Sequence, residues 1–439
     1  MKQSIFARFF ISGAWIMEKF IINGGNELYG SVKLQGSKNS ILPILAAAAA
    51  TGRVSVLHNC PKLSDVDAAL KILRHIGCKT QRHGHTVIVD STGADGCEIP
   101  ENLMSEMRSS IIFLGALLAR FGKARLSAPG GCEIGLRPID LHLSALRSMG
   151  VCITETGGVL ECDCPRGISG RHITLNFPSV GATENIILAA IGARGETVIT
   201  NAAREPEIVD LAEYLNKCGV SVVGAGQSVI RITGGRKLYN AEHRIIPDRI
   251  VASTFIAGVA CAGGKICVKD TVREHLAPVI PAFEAAGCAF SFENGEMSVE
   301  SHGRPHRVKF LRTMPYPGFP TDSQALFMAV AAKASGTSVV SEKIFENRFR
   351  HVPELIRMGA DIRVEDCCVA VVEGVECLHG ARVSACDLRG GSALSVAAMG
   401  AEGQTILENI YHIDRGCEAF ESAFSSLGAD IIRTRRSGV

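Results

Sequence analysis

Residues 40–80 read SILPILAAAAATGRVSVLHNCPKLSDVDAALKILRHIGCKT, and this stretch contains the unit from which the chain is built. An Ala-rich apolar run ends at Gly52, a β-rich segment follows, and an amphipathic run ends at Gly77. The first run is apolar on all sides, which predicts a buried helix, whereas the second has one apolar face and predicts an outer helix. A glycine after each run fits the left-handed conformation that commonly ends a helix.

This order of segments occurs six times along the sequence. The closing glycines lie 68 to 73 residues apart, and an earlier glycine precedes each of them by 23 to 28 residues. The pairs are Gly52 and Gly77, Gly122 and Gly150, Gly195 and Gly219, Gly264 and Gly287, Gly336 and Gly359, and Gly403 and Gly428. A unit of about 70 residues is too small to bury both of its helices alone. The repetition therefore predicts an α/β protein with two groups of three units.

Composition excludes several other classes of protein. The 439 residues are 46% hydrophobic and 21% charged, as in globular proteins, and the net charge of +2 gives no basic excess for nucleic acid. The sequence contains no uninterrupted run of 18 apolar residues, so we predict no membrane insertion. Sixteen cysteines without a CxxC pair favour a reducing cytoplasm. Residues 1–16 are interpreted as a disordered extension, because Met17 is a more natural first residue for the folded protein.

Two segments carry residues suited to chemistry. Cys132 lies in a glycine-rich stretch, APGGCEIGLRP, near Arg137 and Arg120, and nearby cations favour a reactive thiolate. Lys38 and Asn39 precede the first buried run, where a helix N-terminus suits an anion. Neither signal is decisive by itself, since a loop cysteine without a role and a solvated lysine are equally good interpretations.

Charged residues also recur where the other buried runs begin. They are Arg108, Asp248, Arg249, Asp322 and Arg389. A polar residue in that position is more often a helix cap than a catalyst, and this alternative is the better one for Asp322 alone. If the buried helices are parallel, however, their N-termini converge into a cleft that suits a substrate with several negative charges.

The histidines do not suggest a metal centre. His142, His351 and His412 show no spacing typical of metal ligands, and a surface or hydrogen-bonded core position is the better interpretation of each. We predict neither a metal nor a cofactor.

Long motifs in a fixed order resemble the UDP-N-acetylglucosamine 1-carboxyvinyltransferases, a family of enolpyruvyl transferases. The motifs are GSKN at 36–39, PGGCEIGLRPIDLH at 129–142, FPSVGATENI at 177–186, NAAREPEIVD at 201–210, FPTDSQA at 319–325, FENRFRHVPELIRMGA at 345–360, DLRGGSAL at 387–394 and YHIDRG at 411–416. The resemblance implies two inside-out α/β barrel domains, each of three βαβαββ-type units. We expect the first domain at 38–246, and the second at 17–37 and 247–439, with ligands between them.

The resemblance also implies a reaction. The 3′-hydroxyl of UDP-N-acetylglucosamine adds to C2 of phosphoenolpyruvate while C3 gains a proton, and phosphate then leaves the tetrahedral intermediate, in the first committed step of peptidoglycan synthesis. Cys132 matches the acid and the site that fosfomycin alkylates, and Asp322 matches the carboxylate near the 3′-hydroxyl. Lys38, Arg137 and Arg415 match groups that hold phosphoenolpyruvate, with Arg389 in the same anionic site, and Asn39 matches a catalytic, positioning side chain.

The remaining matches are contacts with the UDP-sugar. They are Arg108, Arg137, Pro138, Ile139, Asp140, Leu141, Ser179, Val180, Gly181, Asp322 and Ile344. Two residues depart from the family pattern. Many relatives carry a small residue at the position of Glu133, and some carry a lysine at the position of Phe177. Two alternatives stay open: a transferase for a shikimate-type acceptor, and a catalytically silent paralogue that binds the sugar.

Overall fold

The computed structural model describes residues 17–127, 135 and 138–436, and the predicted extension at 1–16 lies outside the described residues. The described strands are β1 Met17–Asn23, β2 Leu28–Lys33, β3 Val54–His58, β4 Lys79–His83, β5 Thr86–Asp90, β6 Glu98–Ile99, β7 Lys123–Ser127, β8 Cys152–Thr156, β9 Val159–Asp163, β10 His172–Thr174, β11 Glu196–Thr200, β12 Ser221–Val223, β13 Val229–Thr233, β14 Ala241–Arg244, β15 Gly264–Lys269, β16 Ala289–Glu293, β17 Glu296–Ser301, β18 Phe310–Arg312, β19 Gly336–Ser341, β20 Asp361–Glu365, β21 Val369–Gly374, β22 Arg382–Ser384, β23 Gln404–Glu408 and β24 Asp430–Arg436.

The helices alternate with these strands along the chain. They are α1 Lys38–Thr51, α2 Ser64–His75, α3 Glu101–Met104, a 3₁₀ helix Arg108–Ile112, α4 Phe113–Phe121, α5 Asp140–Ser148, α6 Val180–Ala190, α7 Pro206–Lys217, α8 Arg249–Ala262, α9 Arg273–Leu276, α10 Ile280–Ala285, α11 Thr321–Ala331, α12 Val352–Arg357, α13 Leu388–Met399, α14 Tyr411–Asp414 and α15 Phe420–Ser425. None of the described helices is long and apolar enough to cross a membrane.

Six four-stranded sheets share one topology. The order β10-β11-β13-β12 has one parallel pair, β10 with β11, followed by two antiparallel pairs. The same pattern recurs in β6-β7-β9-β8, β14-β3-β5-β4, β16-β17-β15-β2, β18-β19-β21-β20 and β22-β23-β1-β24. The six repeats predicted from the glycine spacing are therefore six copies of one sheet with its helices.

Strands exchanged along the chain complete three of these sheets. β14 pairs in parallel with β3, so the last strand before residue 246 completes the first unit. β2 pairs in parallel with β15, and β1 lies antiparallel between β23 and β24. The N-terminal strands thus join sheets formed by the C-terminal half, as the resemblance implies.

Two hydrophobic cores accompany this arrangement. One consists of buried residues between Ile41 and Ile245, and the other of Phe20, Ile22, Leu28 and Leu34 with residues between Val251 and Ile431. Within the first core α1, α4 and α6 pack together, and within the second α8, α11 and α13 do. We therefore propose the division into one domain at 38–246 and another formed by 17–37 and 247–439.

The central helices are buried on every side, as their composition predicts. Every residue of α1 from Ser40 to Thr51 is buried, whereas α2 buries mainly one face, including Leu70 and Leu73. All twelve phased glycines have positive φ, from 61° at Gly52 to 105° at Gly287. Residues with a Cβ rarely adopt this conformation, which explains why glycine recurs at these positions.

Close packing of the central helices gives a stability prediction. Gly115 of α4 lies against α6, where an added Cβ would come 2.4 Å from the carbonyl oxygen of Asn185. We expect Gly115→Ala to lower the free energy of unfolding by about 2 kcal/mol, because overpacked cores must shift. Gly93→Ala is the control, since no heavy atom lies within 4 Å of its added Cβ. Urea unfolding would contradict this account if both variants lost equal stability.

Candidate active site

One cluster of charges joins the two halves of the chain at the start of α1. Lys38 is the first residue of α1, and its Nζ lies 2.6 Å from Oδ2 of Asp65, the second residue of α2. The Nε of Arg415, which follows α14, donates to Oδ1 of Asp65 at 2.9 Å. The aspartate is buried, the lysine is half-buried, and the arginine is about one-third exposed. A single carboxylate therefore holds together two cations from different halves.

Burial and the neighbouring charges shift the pKa values of Lys38 and Asp65. Burial lowers the pKa of Lys38, with Arg415 and Arg389 adding to the effect and Asp65 opposing it. Burial alone would raise the pKa of Asp65, but Lys38 and Arg415 outweigh it and hold that pKa below its usual range. Asp65 therefore stays ionised at neutral pH.

A second cluster surrounds Asp322 in the first turn of α11. Oδ1 of Asp322 accepts hydrogen bonds from Nε of Arg389 and from Nη2 of Arg348, each at 3.0 Å. Burial by itself would raise the pKa of Asp322, but the two guanidinium groups hold it well below its usual range. About a third of the carboxylate side chain remains exposed, so a ligand can still reach it.

The interpretation of Asp322 as a helix cap is wrong. α11 begins at Thr321 after Pro320, and no side chain caps this helix. Caps do occur at two other junctions, where Asp248 accepts from the first amides of α8 and Asp387 from those of α13. Two carboxylates before buried helices are thus caps, whereas Asp322 is bound by two arginines.

Asp248 and Arg249 link the two clusters. The backbone N–H of Lys38 donates to Oδ2 of Asp248 at 3.1 Å, which connects the N-termini of α1 and α8. Arg249 makes a buried two-bond contact with Glu207 of α7, at 3.0 and 3.3 Å. Arg389 of α13 acts electrostatically on Asp248, and Arg249 acts on Asp322 of α11, so the N-termini of α1, α8, α11 and α13 lie close together.

The expected UDP-sugar contacts lie on neighbouring elements. Ser179 caps α6 through its hydroxyl, which accepts from the N–H of Ala182, and Val180 and Gly181 form the first turn of that helix. His142 of α5 lies beside Gly181, where an added Cβ would be 3.0 Å from its ring. Pro138, Ile139, Asp140 and Leu141 lead into α5. These two segments are therefore neighbours.

Other expected contacts are positioned by the backbone. Ile344 donates its N–H to Oε1 of Glu342 at 2.7 Å, and Oε2 of the same carboxylate accepts from Thr321. This contact holds Ile344 close to the first turn of α11. Arg108 is half-buried at the start of the 3₁₀ helix, and Asn39 is half-buried in the first turn of α1.

Cys132 and Arg137 lie outside the described residues. Gly135 from the same stretch is described and buried, and an added Cβ there would meet the carboxylate of Glu346 at 2.2 Å. A residue close to Cys132 in sequence therefore contacts the second half of the chain.

Most described cysteines are poor candidates for reactivity. Burial raises the pKa of eight thiols to about 11 or 12: Cys60, Cys78, Cys162, Cys218, Cys261, Cys288, Cys386 and Cys417. Thiols with such pKa values hold almost no thiolate at neutral pH. This includes Cys417, which is buried close to Arg389.

The histidine interpretation is correct for His142 and wrong for His351. His142 is buried and its Nδ1 lies 2.7 Å from the side-chain amide of Asn185. His351 is fully buried, yet no described group is in hydrogen-bonding geometry with either ring nitrogen. Burial lowers the pKa of His351 to about 4, so this ring is neutral beside Arg348 and Asp387.

Two residues of the site were not predicted from the sequence as functional, Asp65 and Arg348. With Lys38, Arg389, Arg415 and Asp322 they form two neighbouring clusters in which cations and carboxylates alternate. Such a site can bind phosphate and carboxylate groups through the cations and hold a hydroxyl against Asp322. These binding properties fit a reaction between two anionic substrates.

Comparisons with known proteins agree with this interpretation of the site. A family model described as EPSP synthase (3-phosphoshikimate 1-carboxyvinyltransferase) matches residues 22–424. UDP-N-acetylglucosamine 1-carboxyvinyltransferase 2 of Caldanaerobacter subterraneus is 52% identical over 95% of this chain and 100% of the relative. UDP-N-acetylglucosamine 1-carboxyvinyltransferase 1 of Symbiobacterium thermophilum is 48% identical over 95% of each chain.

Solved structures confirm the predicted fold of two inside-out α/β barrel domains. The enolpyruvyl transferase NikO from Streptomyces tendae has a TM-score of 0.86 at 27% identity, over 96% of this chain and 100% of that one. EPSP synthase from Acinetobacter baumannii has a TM-score of 0.70 at 19% identity, over 95% and 100% of the two chains, which supports the fold alone. On the matching family model and relatives about half identical over nearly its whole length, the chain belongs to the enolpyruvyl transferases, in the family of UDP-N-acetylglucosamine 1-carboxyvinyltransferases.

Proposed function

We propose that the chain transfers the enolpyruvyl group of phosphoenolpyruvate to the 3′-hydroxyl of UDP-N-acetylglucosamine and releases phosphate, the first committed step of peptidoglycan synthesis. The observation that carries the proposal is the meeting of Lys38, Asp65 and Arg415 across the two halves, next to Asp322 and Arg389. This arrangement provides cations for phosphoenolpyruvate beside a carboxylate for the acceptor hydroxyl. The relatives that share nearly the whole sequence bear the name of this activity.

The reaction follows from these positions. The acceptor oxygen bonds to C2 while C3 gains a proton from an acid, for which we propose Cys132. The proton of the hydroxyl passes to a base, for which we propose Asp322. Phosphate then leaves C2 and C3 loses a proton, so the enol ether forms without net oxidation or reduction. Lys38, Arg415, Arg389 and Arg137 would stabilise the charges of phosphoenolpyruvate, and Asn39 would position it.

The sugar nucleotide would occupy the adjoining elements. We propose that α6, the segment before α5, Arg108 and Ile344 contact it, because they match the contacts that the family resemblance implies, because α5 and α6 are neighbours, and because Ile344 is held close to the first turn of α11. Desolvation of the two charged clusters would strengthen the cationic contacts.

The described cysteines are all free thiols, which fits the proposed location in a reducing cytoplasm.

Phosphate release tests the function directly. We expect the purified chain to release one phosphate per UDP-N-acetylglucosamine converted in the presence of phosphoenolpyruvate. Release with shikimate 3-phosphate instead would favour the shikimate-type alternative, which the description of the matching family model raises. Binding of the sugar nucleotide without turnover of either acceptor would favour a silent paralogue.

The role of Cys132 gives a chemical prediction. We expect fosfomycin to add to the wild-type chain once and not to Cys132→Ser, because most of the other thiols are held protonated by burial. Cys367→Ser is the control, since that cysteine is exposed and distant in sequence. Intact-mass and peptide-mass measurements would show the adduct. An adduct on a cysteine other than Cys132 in the wild type would contradict the assignment.

The role of Lys38 predicts a loss confined to one substrate. We expect Lys38→Ala to weaken phosphoenolpyruvate binding by about 10- to 100-fold, the effect of one charged hydrogen bond, and sugar-nucleotide binding by less than about threefold. Lys71→Ala is the control, because Lys71 forms a partly exposed surface pair with Glu106. Calorimetric titrations with each substrate separately would refute the role if both losses were equal.

A further inference from the structure

Three side chains with metal-binding chemistry meet away from the proposed active site. The sulfur of Cys377, a ring nitrogen of His379 and a carboxylate oxygen of Glu402 all lie within 4.8 Å of one another. Cys377 is half-buried and the other two residues are exposed. None of them belongs to the motifs that carry the family resemblance.

The backbone holds these residues in place. Cys377 and His379 are two positions apart in the segment after β21, which puts their side chains on the same side where the chain is extended. His379 and Glu402 are partners in an isolated parallel bridge. The N–H of Glu402 donates to the carbonyl of Leu378 at 2.8 Å, and the N–H of Gly380 donates to the carbonyl of Glu402 at 2.7 Å. The backbone positions of the three residues are therefore fixed before any ion binds.

The surroundings leave room for a ligand. The three side chains line one cavity together with Glu376, Lys333 and Gly359. The ammonium of Lys333 is engaged, because it donates to the carbonyls of Cys261 and Gly400 at 2.8 and 2.6 Å. The thiol of Cys377 lies 3.0 Å from the carbonyl of Leu378, which is a contact it can give up by rotation.

The ligand set selects a class of ion. Thiolate, imidazole and carboxylate are the side chains that bind Zn²⁺, and three protein ligands leave a fourth position for water or another molecule. Magnesium and calcium prefer oxygen ligands alone, which this cluster does not provide. We propose that Cys377, His379 and Glu402 bind one zinc ion, with the thiol proton released to solvent.

The position separates this site from the proposed chemistry. α13 runs from Leu388 to Met399, with Arg389 in the Asp322 cluster at one end and Gly400 lining the zinc cavity at the other. At 1.5 Å per residue the two ends are about 17 Å apart. The inference therefore does not depend on the proposed transfer reaction, and it departs from the sequence-based prediction of no metal.

Metal binding to the full-length chain tests the proposal. After treatment with a chelator and its removal, we expect the wild type to retain one equivalent of Zn²⁺ in equilibrium dialysis at micromolar free ion. With Co²⁺ as a spectroscopic probe, we expect a thiolate-to-cobalt absorption band that Cys377→Ser lacks. His379→Asn and Glu402→Gln should each weaken Zn²⁺ binding by at least about tenfold, the loss typical of a perturbed metal site.

Matched controls come from two incomplete sites. Cys267 contacts Glu296 at 3.2 Å, and His302 contacts Glu300 at 2.7 Å. Cys267→Ser and His302→Asn should therefore leave both the stoichiometry and the cobalt band unchanged. Absence of Zn²⁺ from the dialysed wild type, or an unchanged cobalt band in Cys377→Ser, would overturn the proposal. Phosphate release by each variant would be measured alongside, since a folded variant should keep wild-type turnover.

Discussion

Asp322→Asn is expected to lower kcat by about 10³-fold, within the range typical of a lost general base. The asparagine has nearly the same shape but cannot accept the proton of the 3′-hydroxyl. Its side chain would still face Arg389 and Arg348, so the sugar nucleotide should bind with an affinity within about threefold of the wild type. Steady-state kinetics and calorimetry together would separate the two effects.

The two arginines that bind Asp322 also determine when it can act as a base. Because they hold the pKa of Asp322 well below its usual range, the carboxylate is ionised throughout the neutral range but is a weak base. Anionic groups of the substrates would compete for Arg389, which would weaken that ion pair and make the carboxylate more basic. Asp322 should therefore accept its proton only when both substrates are bound.

A matched control is available on the surface of the same half. Asp270 is also about one-third exposed and paired with a guanidinium group, that of Arg244 at 2.7 Å. Asp270→Asn should change kcat by less than about twofold. A loss below tenfold in Asp322→Asn, with its fold confirmed by urea unfolding, would exclude Asp322 as the base.

The fold could be predicted because each repeat carries its own local signals. Positive φ at the twelve phased glycines and burial around α1 follow from short stretches of sequence. The exchange of β14 into the first sheet could not be predicted in this way. That strand pairs with β3 from more than 180 residues away, and its four residues alternate without a strong apolar pattern.

The site shows the same limit. Lys38, Asp322 and Arg389 were predicted because they belong to long motifs at the starts of buried helices. Asp65 lies in an outer helix among other charged residues, where a solvated position is the ordinary interpretation. Its partner Arg415 is 350 residues away, so only the folded chain reveals the contact. Arg348 likewise lies in a quoted motif, but nothing local to it indicates Asp322 as its partner.

Asp65→Asn should be as damaging as the loss of a residue that touches substrate. We expect kcat/KM for phosphoenolpyruvate to fall by at least about 100-fold, because Lys38 and Arg415 would lose the group that aligns them. Removing one partner from a buried ion pair leaves uncompensated charge and typically costs 3–5 kcal/mol. Since Arg415 is partly exposed, we expect Asp65→Asn to lower the free energy of unfolding by about 3 kcal/mol, near the lower end of this range. Urea unfolding would measure the change.

Inorganic phosphate distinguishes this explanation from general damage to the fold. In Asp65→Asn the two cations face each other without a carboxylate between them, so an anion that binds there should restore stability. We expect added phosphate to raise the urea midpoint more in Asp65→Asn than in the wild type. Asp67→Asn is the control, because Asp67 lies on the same helix in an exposed pair with Arg82. If the two variants showed equal kinetics and equal responses to phosphate, Asp65 would have no special part in aligning Lys38 and Arg415.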